Sequence, residues 1–436
     1  MWTYNVNVFL FYIAYVVTGP ITKHVGERRV ALVCSTVASF SYILLAFSTS
    51  AVALFFLFGI VFGLSSGMTH SVSFVILPQY FEKHRGLVIC LNVATVGFSL
   101  VANPQIIRAL QVAFGASGAI LVHAGLILNT VVTSALFQPV KRHQRVCEAT
   151  EDVPKNTIVP EDMKNLPRFE TIDEKENTQI NEENPDKSLN VKHIAKEVNR
   201  CFESCKLFGV LINGFAFAVF LVGFSNFAVL VPLMMKSSGY NATNAALAVS
   251  CGSLLNFLGR LSMAPLADRP WFSNKHAYMS GSVIAAIGSL GSSMRILLKK
   301  LRNNSKHFCV CVIVNSLDIS PFLLWDLRLL LVSLVVWGTG VGVSMGLWMV
   351  LVIETVGIEG YIPAIGACGL IAALVTVTLG PLTGVVRDLS SSYMLSVMLC
   401  SALQLTAAVM WLFMPCATRR DLRVKDKLQL PDAARS

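Results

Sequence analysis

The sequence predicts an all-α polytopic membrane protein built from two helical halves, and three observations carry that reading. The 436 residues are 54% hydrophobic and 14% charged, with a mean hydropathy of +0.63; soluble domains are about a quarter charged, and one of this size could not hide so much apolar surface. Apolar stretches of about 20 residues, the length that crosses a bilayer as a helix, recur along the chain. A long polar interval divides them into a group of five and a group of six.

Taken in order, the spans fall at 3–20, 30–47, 51–77, 87–107 and 116–137, then at 207–235, 245–266, 277–297, 328–353, 362–386 and 393–414. The opening residues lack a basic segment and a small-residue cleavage site, so they read as a span and not as a secretory signal. Residues 1–137 form the N-terminal half, 138–205 a cytoplasmic linker, 206–414 the C-terminal half and 415–436 a cytoplasmic tail. The linker starts basic (Lys141, Arg142, Arg145), turns acidic between Asp173 and Asp186, and has few aromatics and no periodicity, which predicts a largely disordered segment. Lys and Arg set the orientation. Lys23, Arg28 and Arg29 share one loop, Lys83 and Arg85 another, and these lie inside with the linker, Arg269, Lys275 and the tail's Arg419, Arg420 and Arg423. The sequons at Asn241 and Asn303 then face outward as glycosylation candidates. Residues 295–326 carry a basic cluster on that outer side together with Asn315, Asp318 and Pro321, so they read as a long outer loop or insert.

Composition also excludes functions. The net charge of +10 sits in loops, where it serves topology and not nucleic-acid binding. The eleven cysteines, Cys34, Cys90, Cys251, Cys368 and Cys400 among them, are scattered through apolar stretches without metal-ligand spacing, so no metal or cofactor is expected. No nucleophile–base set, metalloprotease pair or phosphate loop appears, which argues against an enzyme.

The two halves echo each other. Gly19 to Arg29 follows the first span, and Ala264 to Arg269 follows the second span after the linker; both open a short charged inner loop. Equivalence of the two loops makes the first half one helix short at its start, so that five plus six stands where six plus six is expected. That would also leave the first residue outside.

These loops resemble the inter-helix signature of the major facilitator superfamily, Gly-x-x-x-Asp-Arg-x-Gly-Arg-Arg. Lys23 and His24 replace its Asp-Arg pair in the first copy; Asp268 and Arg269 keep it in the second, with Ala264 for the leading glycine. Within that superfamily the chain is similar to the monocarboxylate transporter family. Tyr80 to Leu87 resembles the segment before that family's fifth helix, Phe114 to Pro139 its sixth helix, and Glu354, Thr355, Ala364, Gly366, Gly380, Pro381 and Asp388 the ends of its tenth and eleventh. The resemblance implies a major facilitator fold, a plasma-membrane carrier of small organic anions, and in some members a single-span ancillary subunit.

Arg260 is the candidate site. It stands well inside the stretch 245–266, where an arginine costs roughly 2.5–3.5 kcal/mol at the helix centre. In the resembled family an Asp-x-x-x-Arg pair lies here, the arginine holding the substrate carboxylate and the aspartate taking part in proton coupling. Arg260 matches the arginine, and its planar fork suits a carboxylate. Asn256, on the same helical face and so the second substrate-binding candidate, replaces the aspartate and cannot take up a proton, so passive exchange or a neutral or zwitterionic substrate competes with proton symport. The family's first-helix lysine has no counterpart in this sequence. Asn92, Thr95 and His70 are further cavity or relay candidates, as are Asn103 and His123, although hydrogen-bonded packing positions are the simpler expectation for both histidines. Glu354, at an inner helix end, is expected to pair with a loop arginine sooner than to touch substrate. A carrier working by alternating access leads; a non-transporting sensor or accessory protein is the alternative.

Overall fold

The computed structural model describes residues 2–48, 50–81, 83–138, 191–237, 239–303, 325–390 and 393–429. Among them the chain forms twelve helices and no strand, here numbered in chain order. The N-terminal half comprises α1 (Trp2–Val25), α2 (Glu27–Ala46), α3 (Ala51–Tyr80) and α4 (Arg85–Leu136). After α5 (Val191–Ser204) come α6 (Phe208–Ser237), α7 (Ala242–Met263), α8 (Asn274–Asn303), α9 (Trp325–Val356), α10 (Tyr361–Ser390), α11 (Tyr393–Leu412) and α12 (Met414–Gln429).

Nine of these helices are long and apolar enough to cross a membrane among the described residues, and one of the nine, α4, supplies two passes. A straight helix of its 52 residues would separate its ends by about 78 Å. Instead the Tyr80 hydroxyl, just ahead of α4, donates to the Gln138 carbonyl just beyond it, and Phe137 and Tyr80 pack against one buried cluster around Val30, Val72 and Ile76. The reversal falls at Gly115, whose φ of 70° is open to glycine and strained for other residues. α8, which packs on α9 and α11, is not among the nine.

Backbone groups inside a bilayer must be satisfied by protein, and α3 shows how. Phe55–Phe62 winds as a π-helix, which leaves carbonyls off the usual ladder, and the Asn7 amide donates to the Phe58 carbonyl at 2.7 Å.

The halves meet along two seams, α1 against α10 and α4 against α7. At the inner end of the second, the Asp268 carboxylate accepts the backbone N–H groups of Gly86 and Leu87, both at 2.8 Å, and so caps α4 from the opposite half. Asp268→Ala is expected to destabilise the protein by about 0.5–2 kcal/mol, the usual worth of such a cap, with Asn recovering part of the loss. A detergent melting series in which all three proteins melt together would contradict this role. Asp421 of α12 caps α6 in the same manner, accepting from Phe208 and Gly209 at 2.9 Å each, while Arg420 lies over the Phe208 ring.

Two sequence expectations are corrected here. Residues 191–204 of the linker are an ordered helix, α5, packed on α1 and α10 with Cys201 5% exposed against Gly366. Val191, Ile194, Ala195, Val198, Cys201 and Phe202 recur at the three- and four-residue spacing of one helical face, a local signal that the linker's polar composition obscured. Residues 295–303 continue α8 and are no loop. The remainder of both segments, 139–190 and 304–324, lies outside the described residues, with Cys309 and Cys311.

Candidate anion site between the halves

A cavity of about 330 Å³ lies between the two halves. Its wall is mainly apolar and aromatic, with Phe11, Tyr12 and Tyr15 from α1, His70 and Phe74 from α3, Phe217 and Phe224 from α6, and Trp348 from α9. Phe217 and Trp348 stack with centroids 3.7 Å apart, closing one side with rigid rings. Arg260 of α7 reaches the cavity and is its one permanent charge: no aspartate or glutamate is among the described lining residues.

The fold builds the arginine's position from three helices. Gly97 of α4 leaves room for its stem, since a Cβ there would stand 3.0 Å from the Arg260 Cδ. Gly342 of α9 lets that helix approach the backbone of Gly259 and Arg260. The side chain is 4% exposed. Its Nε donates to the Asn256 Oδ1 at 2.8 Å and its Nη1 to the Val93 carbonyl of α4 at 3.2 Å. Two of the five N–H donors of a guanidinium are thereby used, and three are left for a ligand.

Asn256 is 1% exposed and is not part of the cavity wall. Its oxygen fixes the plane of the guanidinium, which makes it a positioning residue for Arg260. His70 does line the cavity, with Nδ1 2.7 Å from the Tyr15 hydroxyl. Asn92 and Thr95 are outside the described wall; Thr95 is exposed and donates to the Asn92 carbonyl within its own helix. Asn103 is exposed as well, and His123 packs beside Tyr42, away from the cavity. Glu354 accepts from the Asn274 amide at 2.6 Å, so its partner is a neutral side chain on α8 where a loop arginine was expected. Three features of the site escaped the sequence reading: the tyrosine pair of α1, the Val93 carbonyl and Gly97. The Tyr12 and Tyr15 rings carried a faint signal in their shared helical face; the Val93 carbonyl and Gly97 carried none.

Toward the outer end of α4 and α6 lies a wider cleft of about 580 Å³, and Leu100 belongs to the walls of both spaces. Arg108 and Lys236 line it, and no acidic residue does among those described. Asn241, a glycosylation candidate, is exposed at its rim ahead of α7; the Asn303 side chain lies outside the described residues.

Two helical halves meet along paired seams around a largely apolar cavity, the architecture of a membrane transporter. A family model described as Major Facilitator Superfamily matches residues 1–357, and the chain belongs to that superfamily. Its relatives include monocarboxylate transporter 2 of Homo sapiens, 21% identical over 98% of this chain and 79% of that protein. Monocarboxylate transporter 14 of Mus musculus is 31% identical over 26% of this chain and 22% of its own length. The chain spans less than a third of the length of the first of the curated relatives it matches. Among solved structures, the proton:xylose symporter XylE bound to 6-bromo-6-deoxy-D-glucose superposes with a TM-score of 0.58 at 14% identity, over 94% of this chain and 85% of that one. The human organic anion transporter MFSD10 does so with a TM-score of 0.54 at 14% identity, over 95% and 82%. At such identities the structures speak for the fold alone. The relatives are transporters and not enzymes.

Proposed function

We propose that the protein is a secondary transporter for small organic monoanions, carrying them across the plasma membrane by alternating access with Arg260 holding the carboxylate. One observation carries this reading: a guanidinium with three donors left over from its two protein hydrogen bonds faces a largely apolar cavity that offers it no carboxylate among the described lining residues. In such surroundings a planar anion is the complement that satisfies both the charge and the fork. The basic outer cleft supports the same sign of substrate, since Arg108 and Lys236 raise the local concentration of anions on the way in. The likeness to monocarboxylate transporters supports it further.

The test is uptake into proteoliposomes containing the purified full chain, comparing L-lactate with its neutral isostere lactamide. Lactate uptake above that of empty vesicles, with lactamide at background, is the expected result. Equal uptake of both would remove the anion from the proposal, and saturable binding of lactate without flux would select a sensor. Asn256 gives a second handle. Asn256→Asp sets a carboxylate against the same Nε, where it competes with substrate for the guanidinium. The expected result is a rise in KM of about tenfold or more; an unchanged KM would mean that Asn256 does not set the state of Arg260.

A further inference from the structure

Anion binding at Arg260 leaves the imidazole of the described wall without a task. His70 projects from α3 into the same chamber, its ring held between Phe11 and Phe74 at centroid distances of 5.3 and 5.0 Å and its Nδ1 tied to the Tyr15 hydroxyl. The titratable and charged groups around it are few. From α1 come Tyr12 and Tyr15, from α7 Arg260, and from α10 Tyr361, which interacts electrostatically with Tyr15. The described wall contributed by α4, α6 and α9 holds none, and α2, packed on α3, presents Cys34 to Met68.

We propose that His70, oriented by Tyr15, is the proton site of the cavity, and that it takes up a proton together with the anion bound at Arg260. The proposal rests on the anion reading above, and it moves proton handling away from α7, where Asn256 cannot titrate. With Nδ1–H donated to the Tyr15 oxygen, the lone pair of Nε2 accepts the proton, and the imidazolium keeps the same hydrogen bond. In the empty cavity the guanidinium opposes a second positive charge in a medium of low dielectric. A bound carboxylate cancels that opposition, so anion and proton each favour the other's binding, and by linkage the coupling is reciprocal. Charge balance points the same way. The empty cavity holds Arg260 as a cation and a neutral His70; the loaded cavity holds two cations and one anion, and its net charge is the same. The loaded carrier therefore reorients without burying additional charge. Release of the proton on the other side restores the pair and expels the anion.

The experiment uses the full chain in proteoliposomes with an entrapped pH-sensitive dye and L-lactate as probe, and Arg260→Gln vesicles report diffusion of the free acid. The wild type is expected to acidify the lumen as lactate enters, and to accumulate lactate about tenfold for each pH unit of imposed gradient, as one proton per anion requires. His70→Gln is expected to lose both responses. Should that variant fail to fold, Tyr15→Phe keeps the ring and removes the acceptor of the imidazolium N–H, a charge-assisted bond stronger than its neutral counterpart, so the midpoint of the pH dependence moves to lower pH. Acidification persisting in His70→Gln, a wild-type flux indifferent to pH, or an unmoved midpoint in Tyr15→Phe each overturns the proton site. Wild-type uptake no faster than that of Arg260→Gln is a different failure, and it strikes the anion reading itself.

Discussion

Arg260→Gln should abolish carrier-mediated lactate uptake while the protein still reaches the membrane and melts normally. The arginine is 4% exposed, and its two protein partners are an amide oxygen and a backbone carbonyl. Neither is a charge that would be stranded by its loss, so the usual penalty of breaking a buried ion pair does not apply to folding. Binding is another matter. A carboxylate brought into this cavity without the guanidinium is a desolvated, unpaired anion, a loss of about 2–5 kcal/mol or 30-fold and more in affinity. Arg260→Lys separates charge from geometry. It retains the cation but offers a compact ammonium on a shorter reach, without the fork and with no group to meet both Asn256 and Val93, so it should recover a small part of the uptake at most. The measurement is the initial rate of labelled lactate entry, normalised to protein in the vesicles. Uptake in Arg260→Gln equal to that of the wild type would place the anion elsewhere.

The features that sequence conveyed and those it did not differ in range. Span length is a local quantity, and it gave the long apolar helices, including the reversal of α4, where the gap between 107 and 116 brackets Gly115. Arg260 was legible for the same kind of reason, because a full charge inside an apolar helix is conspicuous without knowledge of its neighbours. What surrounds Arg260 was not legible. Val93 is 167 residues away, and its carbonyl contributes through the backbone, where residue type leaves no trace. Thr95 illustrates the limit within one helix: it lies two residues from Val93, yet it faces outward while Val93 and Val96 line the cavity. A polar side chain on α4 was a reasonable candidate, but the helix's rotation is fixed by Gly97 meeting α7 and not by polarity. Asn256 was read as touching substrate because it shares a helical face with Arg260; the same proximity instead lets it hold the guanidinium. The α5 helix is a different case: its apolar residues from Val191 to Phe202 recur at helical spacing, so the helix was legible, while the surface it packs on forms only once α1 and α10 are side by side.

Gly342→Ala should damage the fold and the site together. α7 and α9 cross at backbone distance beside the site. A Cβ on Gly342 would overlap the Asn256 carbonyl oxygen and would come within 2.9 Å of the Gly259 Cα and 3.1 Å of the Arg260 nitrogen. All three are backbone atoms, which no rotamer change can move aside, so the helices themselves must separate. Small residues at helix crossings in membranes serve this close approach, and forcing an extra group into a packed contact costs about 1–3 kcal/mol. The displaced element carries Arg260, whose bonds to Asn256 and Val93 depend on the present spacing of α7 between α9 and α4. Lower melting temperature and lower lactate uptake are therefore expected together. Gly346→Ala, one turn further along α9, is the control: its Cβ would meet nothing nearer than the Arg260 Cα at 3.4 Å, an ordinary contact, and little change is expected. Thermal melts monitored by size-exclusion profile, with uptake measured on the same preparations, compare the two. Equal behaviour of Gly342→Ala and Gly346→Ala would show that α7 can yield at this crossing, and that the guanidinium is held in place by its hydrogen bonds and not by the helix beneath it.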